Sequence, residues 1–242
     1  MAINFQPIYV LASGGERALE QIDNTTNNLA NVNTSGFKKL IVRELSQKIP
    51  QNKGQKGDLL VFPRFKDTVV ITTQGGLRKT DNPLDVAIQG KGYFQVETPN
   101  GVMLTRNGHF FFDKNGFLVD ENGNYVLNNS GSRIALNTEQ RIGTNIYINQ
   151  KGQIFQDNQE IGTLGIVNYE KIKPVGYTYY KPDGNQIEAE YTILQGFLED
   201  ANVNPIEEMT NLITHQRRMD IYGNLIKGLD NIEQKTNEIG RA

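Results

Sequence analysis

The feature that most restricts the fold is the end of the chain, where apolar residues follow a helical repeat from about 205 to 239. Asn204-Pro205 places an N-cap residue before a proline at the first helical position. Glu207 and Glu208 follow in the first turn, where the helix dipole favours acids. Such a helix would be roughly 50 Å long at ~1.5 Å per residue. No comparable hydrophobic core lies nearby in sequence to cover its two apolar rows, which are Met209, Leu212, Ile213, Met219, Ile226 and Leu229, and Leu225, Ile232 and Ile239.

A weaker helical repeat runs from about Phe5 to Asn31. Gly15 and Thr25 occupy positions of its apolar stripe where a stable core helix would carry Leu or Ile, and Gly14 precedes them. Each glycine costs about 1 kcal/mol relative to alanine inside a helix. The stripe consists of Ile8, Leu11, Gly15, Ala18, Ile22, Thr25 and Leu29. We expect that this helix is unstable alone in water and needs a partner surface.

Turn-forming residues end this helix at 33–36, with Gly36 as a left-handed cap. The following stretch, 37–66, has only two acidic residues, Glu44 and Asp58, and its polar centre PQNKGQKG indicates a mobile loop. We interpret the stretch as a solvated connector, and the alternative is a basic arm that docks on an acidic partner. Its eight basic residues are Lys38, Lys39, Arg43, Lys48, Lys53, Lys56, Arg64 and Lys66.

From Val69 to about Leu198 the pattern changes to short strands separated by turns. Because Asn-Gly and Asp-Gly pairs between β-rich runs favour hairpins, their repetition predicts an antiparallel sandwich or barrel-like domain. The strand-like runs are 86–88, 93–96, 102–104 and 110–112, and the turns are Pro99-Asn100-Gly101, Asn115-Gly116, Asn122-Gly123 and Asp183-Gly184.

These regions together predict an α+β chain whose N- and C-terminal helices pair as a coiled-coil stem and carry a central antiparallel all-β domain. The expected divisions are residues 1–36 for the N-terminal helix of the stem, 37–67 for the basic connector, 68–200 for the β domain and 201–242 for the C-terminal helix. This organisation suits an assembly-dependent subunit better than a free enzyme.

The composition excludes several kinds of site. The chain has no cysteine and two histidines, so thiolate zinc sites, cysteine nucleophiles and three-histidine metal sites are impossible. A net charge of −2 argues against a chain built mainly to bind nucleic acid. The sequence contains no run of about 18 apolar residues, the length needed to span a bilayer. The first residues, MAINFQPIYVLASGGER, lack a basic leader, so we expect no cleaved signal peptide. We also expect no cofactor, no metal and no catalytic residues.

Local motifs in the β region have structural interpretations. In DNPLDVAI, alternation places Leu84, Val86 and Ile88 on one face of a strand. The run Gly90-Lys91-Gly92 lacks the third glycine and the following helix of a phosphate loop. We interpret His109, beside three phenylalanines, as a half-buried strand histidine, since no nucleophile or orienting acid is evident. The acid pair Asp81 and Asp85 has no feature of a glycosidase site.

Residues at the end of the first helix and within the last helix allow either a structural role inside the chain or a contact with a neighbouring subunit. Asn31 and Phe37 suit either an ordinary helix end with a hydrophobic anchor or a subunit contact. Gln216 lies near the apolar stripe, where it could set the register of a coiled coil. Arg217 and Arg218 either pair with acids on neighbouring chains or form a solvated face.

Four stretches, taken together and in order, resemble bacterial flagellar basal-body rod and hook proteins, with the proximal rod proteins most similar and the distal ones next. They are NNLANVNTSGFKK at 27–39, DNPLDVAIQGKGYFQV at 81–96, LTRNGHFFFDKNGFLVDENGNYVL at 104–127 and LEDANVNPIEEMTNLITHQRRMDIYGNLIKGLD at 198–230.

The resemblance implies a structural subunit that polymerises into the axial drive shaft between rotor and hook in the periplasm. Its partners would be copies of itself, other rod and hook proteins and the flagellar export apparatus, with no nucleic acid and no membrane insertion. The expected subunit contacts are Ile8, Leu11, Ile22, Leu29, Asn31, Phe37, Met209, Leu212, Ile213, Gln216, Arg217, Met219, Ile226 and Leu229. The alternative from another class is a secreted adhesin or carbohydrate-binding module on a coiled-coil stalk, with Tyr177, Tyr179 and Tyr180 as an aromatic platform.

Overall fold

The computed structural model describes residues 6–48, 61–136 and 145–239, which divide into two compact units. We call residues 6–30, 40–48, 61–69 and 204–239 the helix unit, and residues 31–39, 70–136 and 145–203 the β unit. The fold is α+β, with an N-terminal helix, an antiparallel β region and a C-terminal helix, as the sequence predicts.

The two helices have almost the predicted bounds. Helix α1 covers Gln6–Ala30, and helix α2 covers Pro205–Ile239. The predicted N-cap of α2 is confirmed, because the Asn204 side-chain oxygen accepts hydrogen bonds from the backbone N–H groups of Ile206 at 3.0 Å and Glu207 at 3.4 Å.

The predicted connector contains two strands. Strand β1, Leu40–Lys48, and strand β2, Val61–Val70, pair as a two-stranded sheet in which Arg43 Nε donates to Asp67 Oδ1 at 2.7 Å. Charged residues stand among apolar and β-branched ones in both segments, so the interpretation of the stretch as a solvated connector missed two strands. The predicted loop at 50–57 lies outside the described residues.

The β unit contains fourteen strands within the described residues, and every pairing recorded among them is antiparallel. The strands are β3 Leu77–Lys79, β4 Val86–Gly90, β5 Tyr93–Thr98, β6 Gly101–Thr105, β7 Phe110–Phe112, β8 Leu118–Asp120, β9 Tyr125–Val126, β10 Ile146–Ile148, β11 Gln153–Gln156, β12 Gln159–Thr163, β13 Ile166–Gly176, β14 Tyr179–Ile187, β15 Tyr191–Gln195 and β16 Phe197–Glu199.

The largest sheet has the strand order β13-β14-β6-β5-β9-β8-β7. Strand β13 also pairs with β5, so β5, β6, β14 and β13 close a ring. Strands β10, β11 and β12 form a three-stranded sheet, while β15 pairs with β4 and β16 pairs with β3. This arrangement agrees with the predicted barrel-like domain.

The hydrophobic core of the chain lies in the β unit. Val86 and Ile88 are buried in this core and Leu84 packs against it, as the alternation predicts. The rings of Phe94 and Phe110 meet edge to face at 5.2 Å between centroids. The core also includes Val96, Met103, Leu118, Val126, Ile134, Ile146, Ile148, Ile154, Leu164, Ile166 and Ile193.

Three of the four predicted turns connect strands. The turns at 99–101, 115–116 and 122–123 lie between β5 and β6, β7 and β8, and β8 and β9, with positive φ at each glycine. The prediction for Asp183-Gly184 was wrong. This pair lies inside β14, where the register with β13 shifts between Tyr169 and Lys171, and Gly184 with φ of 99° accommodates the bulge.

Candidate subunit interface

Helices α1 and α2 approach each other closely at a face of small residues. A β-carbon at Gly14 would lie 2.6 Å from ring carbons of Tyr222, so only glycine fits there without a shift. At Gly15 the added carbon would lie 3.8 Å from Met219 Sδ, an ordinary contact, and Ala18 is also buried. The two glycines, which the sequence presents as weak points of α1, are therefore part of its contact with α2.

Hydrogen bonds join α1 to both α2 and β1. Arg218 donates to Gln21 Oε1 at 3.0 Å, and Gln21 Nε2 donates to Glu44 Oε1 at 2.6 Å. Arg17 Nε also donates to Glu44 Oε1, at 2.5 Å. Thr25, at a predicted apolar position, donates its hydroxyl to the backbone of its own helix. Arg218 thus has a partner within its own chain.

Asn28 joins α1 to β1 and to α2. Its side chain donates to Glu208 Oε2 at 3.2 Å and to the Leu40 carbonyl at 2.8 Å, and accepts from Leu40 N–H at 2.8 Å. Asn28 is buried, as is Glu208. Buried polar side chains are stable only when they are hydrogen-bonded, so these bonds fix the register of α1 against β1 and α2.

The helix unit has almost no apolar core. Among its described side chains, Ala18 is the only buried apolar one, whereas the β unit buries more than twenty. Since burial of apolar surface is the dominant favourable term in folding, the helix unit is poorly stabilised by its own contacts.

The outer face of α2 carries a row of exposed apolar side chains. Ile213 is 51% exposed, and it lies nine residues from Tyr222, about 2.5 helical turns. The two side chains therefore point to opposite sides of α2, one outward and one towards α1. This outward row comprises Ile206, Met209 and Ile213, and Ile221, Leu225 and Ile232 are further exposed apolar side chains of α2 that lie nearer to the side of Tyr222.

The structure divides the predicted contact residues into three groups. Phe37 is 2% exposed, so its side chain anchors the β unit and is not available to a neighbouring copy. Exposed positions are Met209, Ile213, Gln216 and Arg217, and half-buried positions are Ile8, Leu11, Ile22, Leu29, Asn31, Leu212, Met219, Ile226 and Leu229. Sequence reasoning missed Ile206 and Ile221, which lie outside both predicted apolar rows of α2.

The basic stretch is partly buried inside the β unit. Lys38 is fully buried, with its Nζ 2.5 Å from Glu199 Oε1 and 2.8 Å from the Thr73 carbonyl. Burial lowers the pKa of the Lys38 ammonium, and the adjacent Glu199 carboxylate opposes that shift. Lys38 is therefore not available to an acidic partner.

His109 is half-buried as predicted, but it lies one residue before β7 in an isolated bridge to Asp85, an orienting acid that the sequence did not reveal. Its Nδ1 lies 2.6 Å from Asp85 Oδ1, and its ring packs on Phe111 at 4.4 Å between centroids. Asp85 also accepts from Asn82, while Asp81 pairs with Lys79. The two aspartates therefore serve different local contacts rather than one acid pair.

Within the described ranges, no three His, Cys, Asp or Glu side chains are grouped as metal ligands.

The three tyrosines proposed as an aromatic platform do not form one. Tyr180 is buried in the β unit, and burial raises its pKa. The Tyr179 hydroxyl donates to Asp120 Oδ2, and burial together with this bond raises its pKa. Only Tyr177, which is 81% exposed, is open to solvent.

Within the described residues, neither helix has the length and apolar character needed to cross a membrane.

Comparison with known families places three parts of the chain. Residues 8–38 match the flagella basal body rod protein family, residues 87–156 the D1 domain of flagellar hook proteins FlgE/F/G, and residues 194–239 the C-terminal part of flagellar basal body rod FlgEFG proteins. The flagellar basal-body rod protein FlgF of Rhizobium meliloti is 33% identical, and 88% of each chain is covered. The chain belongs to the flagellar basal-body rod protein family.

Other relatives in this family carry two names. FlgF of Mesorhizobium japonicum is 31% identical, with 88% of each chain covered. FlgG of Buchnera aphidicola subsp. Acyrthosiphon pisum is 32% identical, with 88% of this chain and 92% of the relative covered. The matched parts of this rod protein contain most of α1, strands from β4 to β11, strand β16 and α2. The β13–β14 hairpin lies between them.

Proposed function

We propose that this chain is a structural subunit of the bacterial flagellar basal-body rod, polymerising into the axial shaft that transmits torque from rotor to hook, and that it has no enzymatic activity. Its relatives are named basal-body rod proteins. The observation that carries the proposal is the combination of a helix unit that buries only Ala18 among its described apolar side chains with a row of exposed apolar side chains on α2. Such a helix needs further copies to cover it.

The partners are other copies of this chain and neighbouring rod and hook proteins. A second copy covers the outer face of α2, so that terminal helices of several copies pack as coiled coils in the inner layer of the shaft. Repeated head-to-tail contacts whose rotation does not close generate a helical assembly. The subunit works in the periplasmic, proximal part of the rod and passes through the flagellar export apparatus to reach it.

Two matched substitutions test this proposal in a deletion strain that lacks its own copy of the gene and derives from a motile parent. Ile213→Asp places a charge on the outer face of α2, while Val102→Asp places one on β6 of the β unit at nearly equal exposure, 51% against 50%. Each full-length variant is expressed in place of the wild type. Basal bodies are imaged by electron cryo-microscopy, and swimming is measured.

We expect Ile213→Asp cells to lack complete rods and to be non-motile, because a buried charge at a subunit contact is strongly unfavourable. Val102→Asp cells should assemble rods and swim. Normal rods in Ile213→Asp cells would contradict the role of this face. Normal rods and swimming in the deletion strain would overturn the function itself.

A further inference from the structure

The polypeptide passes between its two units at four points, after residues 30, 39, 69 and 203. Three segments of the β unit lie beside the last three of these points, namely 36–39, 71–75 and 199–202, and side chains join all three. We call this group of three joined segments the clasp. A connection of this kind concerns the proposed function, because a subunit of a rotating shaft carries force from one part of its chain to another.

Asn202 is the centre of the clasp. Its side-chain oxygen accepts from Lys39 N–H at 2.6 Å, and its amide nitrogen lies 2.8 Å from the Ile71 carbonyl and 2.9 Å from the Thr73 carbonyl. The Thr73 hydroxyl is a third acceptor at 3.0 Å. The backbones are joined as well, since Ile71 N–H donates to the Lys39 carbonyl at 2.8 Å. One side chain therefore holds the two other segments.

A buried charge cluster supports the same segments. Glu199 accepts from Lys38 Nζ at 2.5 Å, from Gly75 N–H at 3.0 Å and from Arg106 at 3.0 Å. Lys38 also donates to the Thr73 carbonyl. The side chains of Lys38, Glu199 and Arg106 are at most 3% exposed. Hydrogen bonds to charged groups out of water are stronger than those at a surface, so this cluster resists separation of the segments.

Two glycines allow the backbones to lie this close. A β-carbon at Gly75 would lie 2.0 Å from the Asp200 carbonyl oxygen. Gly36 has φ of 72°, and a β-carbon there would lie 2.2 Å from the backbone nitrogen of Asn107. Both positions exclude every larger residue without a backbone shift. The close packing of the segments is thus built into the sequence.

We propose that the clasp distributes torque over three parallel covalent connections, so that no single connection bears it alone. This inference rests on the proposed function. Lys39 immediately precedes β1, and Asn202 lies three residues before α2 begins at Pro205. Force arriving along α2 or β1 reaches the β unit within a few residues of Asn202. Its hydrogen bonds then share the force with the segment that follows β2.

The test compares Asn202→Ala with Asn100→Ala, a change at an exposed turn position, in the deletion strain expressing each full-length chain. Rotation of tethered flagella is followed in media of rising viscosity, and basal bodies are counted at low viscosity. Thermal unfolding of each purified chain is measured by circular dichroism. Asn202→Asp, which retains the acceptor for Lys39 N–H but loses the donors, serves as a second variant if Asn202→Ala does not fold.

We expect Asn202→Ala cells to assemble rods in normal number and to rotate normally at low viscosity. At high viscosity, the lifetime of rotating motors should fall about tenfold relative to Asn100→Ala, as loss of two or more hydrogen bonds at one joint implies. The lifetime of Asn202→Asp motors at high viscosity should lie between the lifetimes of Asn202→Ala and Asn100→Ala motors. Equal lifetimes under load, or a loss of rotation that is the same at every viscosity, would overturn the clasp. A deletion strain that still builds rods would overturn the proposed function instead.

Discussion

Burial decides the role of single charged residues in this chain. Lys38 belongs to a run of eight basic residues, which in most sequences marks a solvated segment. In the structure it is fully buried and paired with Glu199. No local pattern distinguishes Lys38 from Lys39, because its partner is 161 residues away. The charge run was visible in the sequence, but the identity of its buried member depends on tertiary contacts.

Replacement of Lys38 by methionine should destabilise the β unit by about 3 kcal/mol, because it removes one partner from a buried ion pair. Arg106 still pairs with Glu199, which keeps the loss at the lower end of the usual range. The matched control is Lys173→Met, which breaks the exposed Lys173–Asp183 pair and should cost under about 1 kcal/mol. Urea unfolding of the two full-length variants measures the loss in free energy of unfolding that each substitution causes. Equal losses in the two variants would contradict the conclusion that burial makes the Lys38 pair the more important one.

His215 should make the helix unit sensitive to pH. Burial lowers its pKa from the ordinary value of 6.5, and Arg218 and Arg17 act in the same direction, while Glu208 and Glu44 oppose them. At pH values near and below 6.5 the unfolded chain therefore binds more protons than the folded chain. The contribution of neutral His215 to the free energy of unfolding is complete above about pH 6.5, and it is lost as the pH falls towards the lowered pKa of the folded chain.

Assembled rods provide the measurement for His215. The midpoint of thermal loss of helical circular dichroism should decrease between about pH 7.5 and about pH 5.5, which bracket the ordinary histidine pKa. The fall in the midpoint should be smaller in His215→Gln rods. It should be unchanged in His109→Gln rods, because His109 lies in the β unit. A His215→Gln rod with the full pH dependence would show that other groups cause it.

Secondary structure was predictable where the pattern is local. The bounds of α2 follow from its N-cap and apolar rows, and the Asn-Gly turns follow from the need for positive φ. Contacts between distant segments were not predictable. Gly14 resembles a weak point until Tyr222 is placed against it, and Asp183-Gly184 resembles a turn until pairing with β13 makes it a bulge. The sequence therefore predicted a pairing of the two terminal helices but not the small-residue contact at Gly14, and the subunit-contact residues expected on α2 stay a prediction.

The β13–β14 hairpin contains a strained residue. Tyr177, in the loop between the strands, has φ of 51° and is largely exposed. Asn adopts this conformation more readily than Tyr, so Tyr177→Asn should stabilise the β unit by about 1 kcal/mol. Tyr147→Asn, at another exposed tyrosine with ordinary backbone geometry on β10, should give no gain. Thermal unfolding of both variants checks this, and destabilisation by Tyr177→Asn would indicate that the tyrosine ring makes a stabilising contact.

At the scale of the whole molecule, the two units differ in how they are stabilised. The β unit has its own core, whereas the described side chains of the helix unit supply hydrogen bonds, a small-residue contact and one buried alanine. An isolated helix also pays a nucleation cost, and most helices in proteins are stabilised by packing of an apolar face. The apolar face of α2 that would contribute most is exposed in a single copy. Order in the helix unit should therefore depend on assembly.

A single chain in dilute solution should accordingly show the circular dichroism of β structure with little helix. Trypsin should cleave both terminal segments early, leaving a resistant core that contains the strands from β3 to β16. The same digestion of assembled rods serves as the control, and there α1 and α2 should be protected because neighbouring copies cover them. A dilute monomer with strong helical signal and both termini resistant to trypsin would contradict assembly-dependent folding, since its own contacts would then suffice.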